Sequence, residues 1–288
     1  MDLIIKADNK DIQSINNLHY HYCSEEYTVL SYTPEIIQQL TERINQPYST
    51  LHLAIIYIMG LSTEKDFSKG IQLLQASMDL QCSEAYYSMA MLVLTNQTKH
   101  KLTYDQLIKK AMSLNNSSAF IQRAVEYSDD KFDESEKYFK RAIELDNWYA
   151  LYRLGELYHD YNKHDLAIEY YNQAINKGIY HAYFNLAVMY REGEGVDVDY
   201  QKALKLFKQA KKLGSDRALP SIGHIYQELG HPDKAKKYYK KGIVVNDTFS
   251  KYNLGLIYKS ENKHKKAIKC FIEGAKDSHG ASQKALIY

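Results

Sequence analysis

A chain of 288 residues with 45% hydrophobic and 25% charged residues and only four prolines has the makings of one large or two ordinary domains, and its composition excludes a disordered, collagen-like or low-complexity protein. The formal net charge of +2 hides an asymmetry: residues 199–288 hold 19 Lys/Arg against 8 Asp/Glu, and residues 1–198 hold 18 against 27. Cys23, Cys82 and Cys270 are too far apart for a disulfide framework or a zinc knuckle. The N-terminus lacks the basic start and apolar stretch of a signal peptide, and no apolar run reaches the length of a bilayer span, so a soluble cytoplasmic protein is expected.

In chain order, residues 1–47 come first and read as a helical cap or a degenerate repeat. Leu18 and Tyr22 sit four apart, and 35-EIIQQLTERI-44 after Pro34 has the pattern of a helix. His19, His21 and Cys23 are the nearest approach to a metal cluster. On a helix residues 19 and 23 share a face and residue 21 points away, so no metal or other cofactor is expected.

From residue 48 onward one frame recurs: a small residue, three variable ones, usually a large aliphatic, Gly or Ala, two more residues and a tyrosine. It fits 49-STLHLAIIY-57, 119-AFIQRAVEY-127, 150-ALYRLGELY-158, 182-AYFNLAVMY-190, 218-ALPSIGHIY-226 and 250-SKYNLGLIY-258. Val93 replaces the tyrosine in 85-AYYSMAMLV-93, and 280-GASQKALIY-288 closes the series. Anchors at 57, 93, 127, 158, 190, 226, 258 and 288 are spaced by 30 to 36 residues, the length of two short antiparallel helices with their turns. Seven of the 27 tyrosines, against one tryptophan in the chain, stand at these anchors. A second helical pattern follows each of four anchors, 167-AIEYYNQA-174, 203-ALKLFKQA-210, 235-AKKYYKKG-242 and 267-AIKCFIEG-274. Its small residues seven apart let a neighbouring backbone approach, and the aromatic between them fills the groove. Gly178 and Gly214 stand where such a helix should end.

These residues resemble the tetratricopeptide and Sel-1-like repeat superfamily. In 57-YIMGLSTEKDFSKG-70 and 190-YREGEGVDVDYQKA-203, Gly60 and Gly193, Asp66 and Asp199, and Lys69 and Lys202 occupy equal places, as in the Sel-1-like form with its longer turn. The shorter tetratricopeptide turn is resembled by 158-YHDYNKHDLA-167 and 226-YQELGHPDKA-235. The resemblance implies an all-α, right-handed α-solenoid of stacked antiparallel helix pairs, about seven repeats over residues 48–288 with a C-terminal capping helix. No repeat carries a cysteine pair, so the penicillin-binding or hydrolytic activity proposed for the cysteine-rich secreted branch is not implied. Gly193 to Asp199 reads as a turn, with Asp199 capping a helix that begins near Tyr200. A calcium loop would need glycine at Lys202 and a carboxylate at Lys208, and a dinucleotide loop glycine at Val198.

By the same resemblance, first helices line a concave side that takes an extended peptide or a partner helix. The position five before each anchor is polar in every copy (His52, Ser88, Gln122, Arg153, Asn185, Ser221, Asn253, Gln283), and its N-terminal neighbour is mostly apolar or aromatic. The candidate partner-binding residues are therefore Tyr152, Arg153, Phe184, Asn185, Tyr252 and Asn253, with Arg191 and Arg217 adding a basic side. The expected partner is an unidentified protein or peptide, and the expected state a monomer. No catalytic constellation stands in the sequence, so no enzymatic activity is expected. The alternative function is binding of nucleic acid or another polyanion through 234-KAKKYYKK-241 and 263-KHKKAIK-269 in the lysine-rich C-terminal third.

Overall fold

The computed structural model describes residues 33–276, and among them every regular element is helical. In chain order these are α1 (Pro34–Glu42), α2 (Pro47–Met59), α3 (Phe67–Asp79), α4 (Ser83–Leu94), α5 (Tyr104–Ser113), α6 (Ser117–Tyr127), α7 (Phe132–Glu144), α8 (Tyr149–Asp160), α9 (His164–Asn176), α10 (His181–Glu192), α11 (Tyr200–Lys212), α12 (Ala218–Glu228), α13 (Pro232–Val244), α14 (Thr248–Ser260) and α15 (His264–Lys276). The expected all-α solenoid repeat is present: consecutive helices pack as pairs, among them α2 with α3, α4 with α5, α6 with α7, α10 with α11, α12 with α13 and α14 with α15. The chain forms two compact units that divide between Leu157 and Tyr158, inside α8. The helix expected after Pro34 is α1, with Thr33 accepting from the Ile36 amide at 3.4 Å. His19, His21, Cys23 and the anchor at Tyr288 lie outside the described residues.

Helix ends follow from residues that tolerate left-handed backbone. Gln81, Asn115, Asp146, Gly178, Gly214 and Asn246 each follow a second helix and each has positive φ. Most are glycine or residues with short polar side chains, which enter that region at least cost. The expected C-terminal positions of Gly178 and Gly214 are thus met, with φ of 81° and 105°. Gly193 ends α10 at φ 76°, and Asp199 accepts from the Lys202 amide at 2.9 Å, so this segment is a helix-to-helix turn as its sequence indicated. Gly60 and Asp66 repeat that geometry between α2 and α3.

The anchor rings are half-buried, except Tyr158 at 3% exposure, and each is covered from the second helix of its own pair. In the two long-turn repeats the cover is lysine: the Lys69 ammonium donates to the Tyr57 hydroxyl at 2.8 Å, and Lys202 to that of Tyr190 at 2.6 Å. Both ammonium groups also lie 4.0 Å from the ring centroid, within cation–π range. In two short-turn repeats the residue at the same offset of twelve, one turn further along the second helix, is a tyrosine that packs ring to ring: Tyr170 on Tyr158 at 5.3 Å and Tyr238 on Tyr226 at 5.5 Å.

Deeper in, five of the second helices present one ring between two small residues. Tyr171, Phe207, Tyr239 and Phe271 are at most 2% exposed, and so is Phe139 between Ser135 and Ala142. In α12 and α14 the first helix answers with glycine. A Cβ on Gly223 would stand 2.7 Å from the Tyr239 ring, and one on Gly255 2.5 Å from the Phe271 ring. Replacing Gly255 by valine should therefore overpack the α14–α15 contact, a cost of about 1–3 kcal/mol that exceeds the few tenths gained in helix propensity. Urea unfolding of Gly255→Val should show a lower midpoint; an unchanged midpoint would mean that the ring moves aside freely.

Candidate functional site

The first helices present different chemistry in the two units. In the first unit, His52 on α2 is fully buried, and burial lowers its pKa to about 3, so the imidazole is neutral in the fold. On α8, Tyr152 and Arg153 share one carboxylate: the Tyr152 hydroxyl donates to Glu156 Oε1 at 2.5 Å and Arg153 Nη1 to Oε2 at 2.8 Å. Burial, then the Glu156 charge, push the Tyr152 phenol up, which keeps it a donor.

In the second unit, Phe184 on α10 meets Phe207 on α11 edge to face at 5.2 Å. The exposed Arg217, at the start of α12, lies with its guanidinium 4.9 Å from the Phe184 centroid. Arg191 lies 5.8 Å from the Phe207 centroid, and its Nε donates to Glu192 at 2.6 Å. Three candidates, Phe184, Arg191 and Arg217, therefore gather about one aromatic pair. Their ring partner Phe207 was absent from the sequence-derived set, although its place between Ala203 and Ala210 marked it as a packing residue. Asn185 donates to the Tyr171 hydroxyl at 3.3 Å. Tyr252 packs 6.0 Å from Phe271. Asn253 is 6% exposed and donates to the Phe249 carbonyl within its own helix at 2.9 Å, so its amide is committed to local structure.

In the lysine-rich third, Lys234, Lys237, Lys240 and Lys241 are exposed, whereas Tyr239 is fully buried and Tyr238 is stacked on Tyr226. The surface supplies charge, and its interleaved rings face inward. Among the described residues no group of three or more His, Cys, Asp or Glu side chains is placed to hold a metal ion, and no helix is long and apolar enough to cross a membrane.

In the first unit a groove of about 330 Å³ opens between α2, α4 and the start of α6, walled by Ile58, Met59, Met91 and Leu92, with Glu84 and Asn116 among its lining. Its signal in the sequence is the absence of charge from α2 and its near absence from α4.

Residues 47–80 and 181–215 match the Sel1 repeat, and residues 125–180, 217–246 and 250–276 match the tetratricopeptide repeat. The chain is a Sel1-like and tetratricopeptide-like repeat protein. The Sel1 matches fall on the two repeats whose anchor tyrosine is covered by lysine, and the tetratricopeptide matches include the two covered by tyrosine. Among solved structures, this repeat protein is similar to a protective antigen of uropathogenic Escherichia coli with an SLR fold (19% identity, TM-score 0.67, 99% of this chain and 66% of that one). It is similar also to a Sel1 repeat protein from Oxalobacter formigenes (19% identity, TM-score 0.59, 84% and 97%) and to yeast Tom70 (18% identity, TM-score 0.53, 87% and 56%). These likenesses show the fold. In sequence it is 29% identical over 75 residues to chitin synthase regulatory factor 4 of Schizosaccharomyces pombe, a stretch that is 26% of this chain and 12% of that protein.

The buried His52 gives a pH dependence. An unfolded histidine titrates near ~6.5, so between that value and about 3 the unfolded chain binds a proton that the folded chain refuses. Stability from this residue is complete above pH ~6.5 and is lost as pH falls, by at most about 1.4 kcal/mol per pH unit. Urea titrations at pH 7 and pH 5 should show a larger loss for wild type than for His52→Gln; equal losses would show that His52 does not resist protonation.

Proposed function

We propose that this repeat protein is a non-catalytic, cytoplasmic scaffold or adaptor that captures a segment of a partner protein on its first-helix face, the concave side of such solenoids. The observation that carries the reading is the gathering of Arg191 and Arg217 around the Phe184–Phe207 pair. Guanidinium groups held against rings are already oriented, so binding costs less side-chain entropy, and Arg and aromatic residues are the types that most often dominate interface energy. Within the second unit Asn185, Tyr252 and Asn253 support the surface through the bonds and ring contacts given above, and Tyr152 and Arg153 stand on a first helix of the other unit. Repeats of this superfamily are in general protein-interaction modules, and similarity to a stretch of a protein named as a regulatory factor is in keeping with an accessory role.

The test is affinity capture from nuclease-treated lysate with the wild type and with Arg191→Ala/Arg217→Ala. A protein retained by the wild type and lost by a variant with an unchanged melting curve supports the reading. Equal capture by both, or capture that disappears with nuclease treatment alone, contradicts it.

A further inference from the structure

Two second helices of the second unit expose an aliphatic side chain where their counterparts are polar. In the matching segments 167–176, 203–212, 235–244 and 267–276, the sixth position reads Asn172, Lys208, Lys240 and Ile272, and the tenth reads Asn176, Lys212, Val244 and Lys276. All eight side chains are exposed, so both positions look outward in every copy and do not wait for a following repeat to cover them. Ile272 is nonetheless 42% exposed and Val244 81%.

Lysine surrounds both. The helices α13 and α15 together carry nine lysines and no arginine, against two carboxylates, Asp233 and Glu273. Lys237, Lys240 and Lys241 stand seven, four and three residues before Val244 on one stripe of α13, and Lys265, Lys269 and Lys276 share a stripe of α15 with Ile272. Because α13 and α15 hold the same place in consecutive repeats, the two stripes face the same way. Among the described residues, the ion pairs of these helices take up Lys236, with Asp233 at 2.8 Å and Glu261 at 2.5 Å, and Lys269, with Glu273 at 4.0 Å. The other exposed lysines keep their charge for a partner.

We propose that this face rests on the anionic surface of a lipid bilayer, with the lysines among phosphate-bearing headgroups and Val244 and Ile272 entering between them. The charge is complementary to such a leaflet, and each lysine within reach of it adds to binding. Lysine is a strongly hydrated point charge and is depleted at protein–protein interfaces, where arginine supplies fixed paired bonds; mobile headgroups need no such geometry. A nucleic acid would draw on rings for its bases, but Tyr239 and Phe271 are buried and Tyr238 is stacked on Tyr226. It would also leave the two aliphatic side chains idle. Aliphatic tips flanked by lysine are what a headgroup layer takes up. The site goes beyond the reading of the first-helix face, since it uses second helices and a lipid.

The test is co-sedimentation of the full chain with vesicles of phosphatidylcholine alone or with about a third phosphatidylserine. The phosphatidylserine vesicles should bind about tenfold or more tightly, and the preference should fade as salt screens the lysines. Lys240→Glu/Lys265→Glu, on exposed side chains, should keep the wild-type melting temperature and abolish that binding. Val244→Ser/Ile272→Ser should weaken it about fivefold or more, because the apolar tips are lost while every charge is kept. Arg191→Ala/Arg217→Ala should leave it unchanged, separating this site from the one proposed above. Equal sedimentation with both vesicle types, lipid binding unchanged by Val244→Ser/Ile272→Ser, or retention of a uridine homopolymer without a phosphatidylserine preference would overturn the proposal, the last by placing nucleic acid on this face. Self-association broken by Val244→Ser/Ile272→Ser, without vesicle binding, would overturn it by placing a second copy there.

Discussion

The helix pairs α12–α13 and α14–α15 each close on one contact: a ring of the second helix, held between two small residues, is pressed against a glycine on the first. Tyr239 against Gly223 and Phe271 against Gly255 show its tightness, since even a methyl group would overlap the ring. Burial of such a ring yields roughly 1.5–3 kcal/mol, and the close approach it permits brings the remaining apolar positions of both helices into register. The anchor tyrosines, the caps and the first-helix face all take their places from this contact.

The anchor position shows how two repeat types share one frame. Twelve residues beyond the anchor, the second helix offers either a lysine, as on Tyr57 and Tyr190, or a tyrosine, as on Tyr158 and Tyr226. Lysine reaches both the hydroxyl and the ring face after a long turn, and tyrosine stacks after a short one. The turn can therefore vary in length without disturbing the seam, and Sel1-type and tetratricopeptide-type repeats alternate within one chain.

The frame was legible in the sequence because its residue types are forced by packing. A ring between two small residues, a residue that tolerates positive φ and an aspartate at a helix start each have few substitutes, so they recur at matching places in several copies. The candidate site was legible only in part. Arg153 and Asn253 hold the same position in their repeats, yet one bonds a glutamate three residues on and the other a carbonyl four residues back. Burial of His52 depends on neighbours outside its own helix, and the meeting of Arg217 with Phe184 joins two repeats. Such contacts have no period. The apolar groove was hidden for the converse reason, because it is written in missing charges over two whole helices.

Native-state hydrogen exchange of Tyr239→Ala tests whether the seam between the paired helices holds neighbouring pairs together. Loss of a fully buried ring costs about 3 kcal/mol or more, so amide protection in α12, α13 and α14 should fall together by about a hundredfold or more, with α2 to α6 unchanged. Loss confined to α13, with α12 and α14 as protected as in the wild type, would contradict the account.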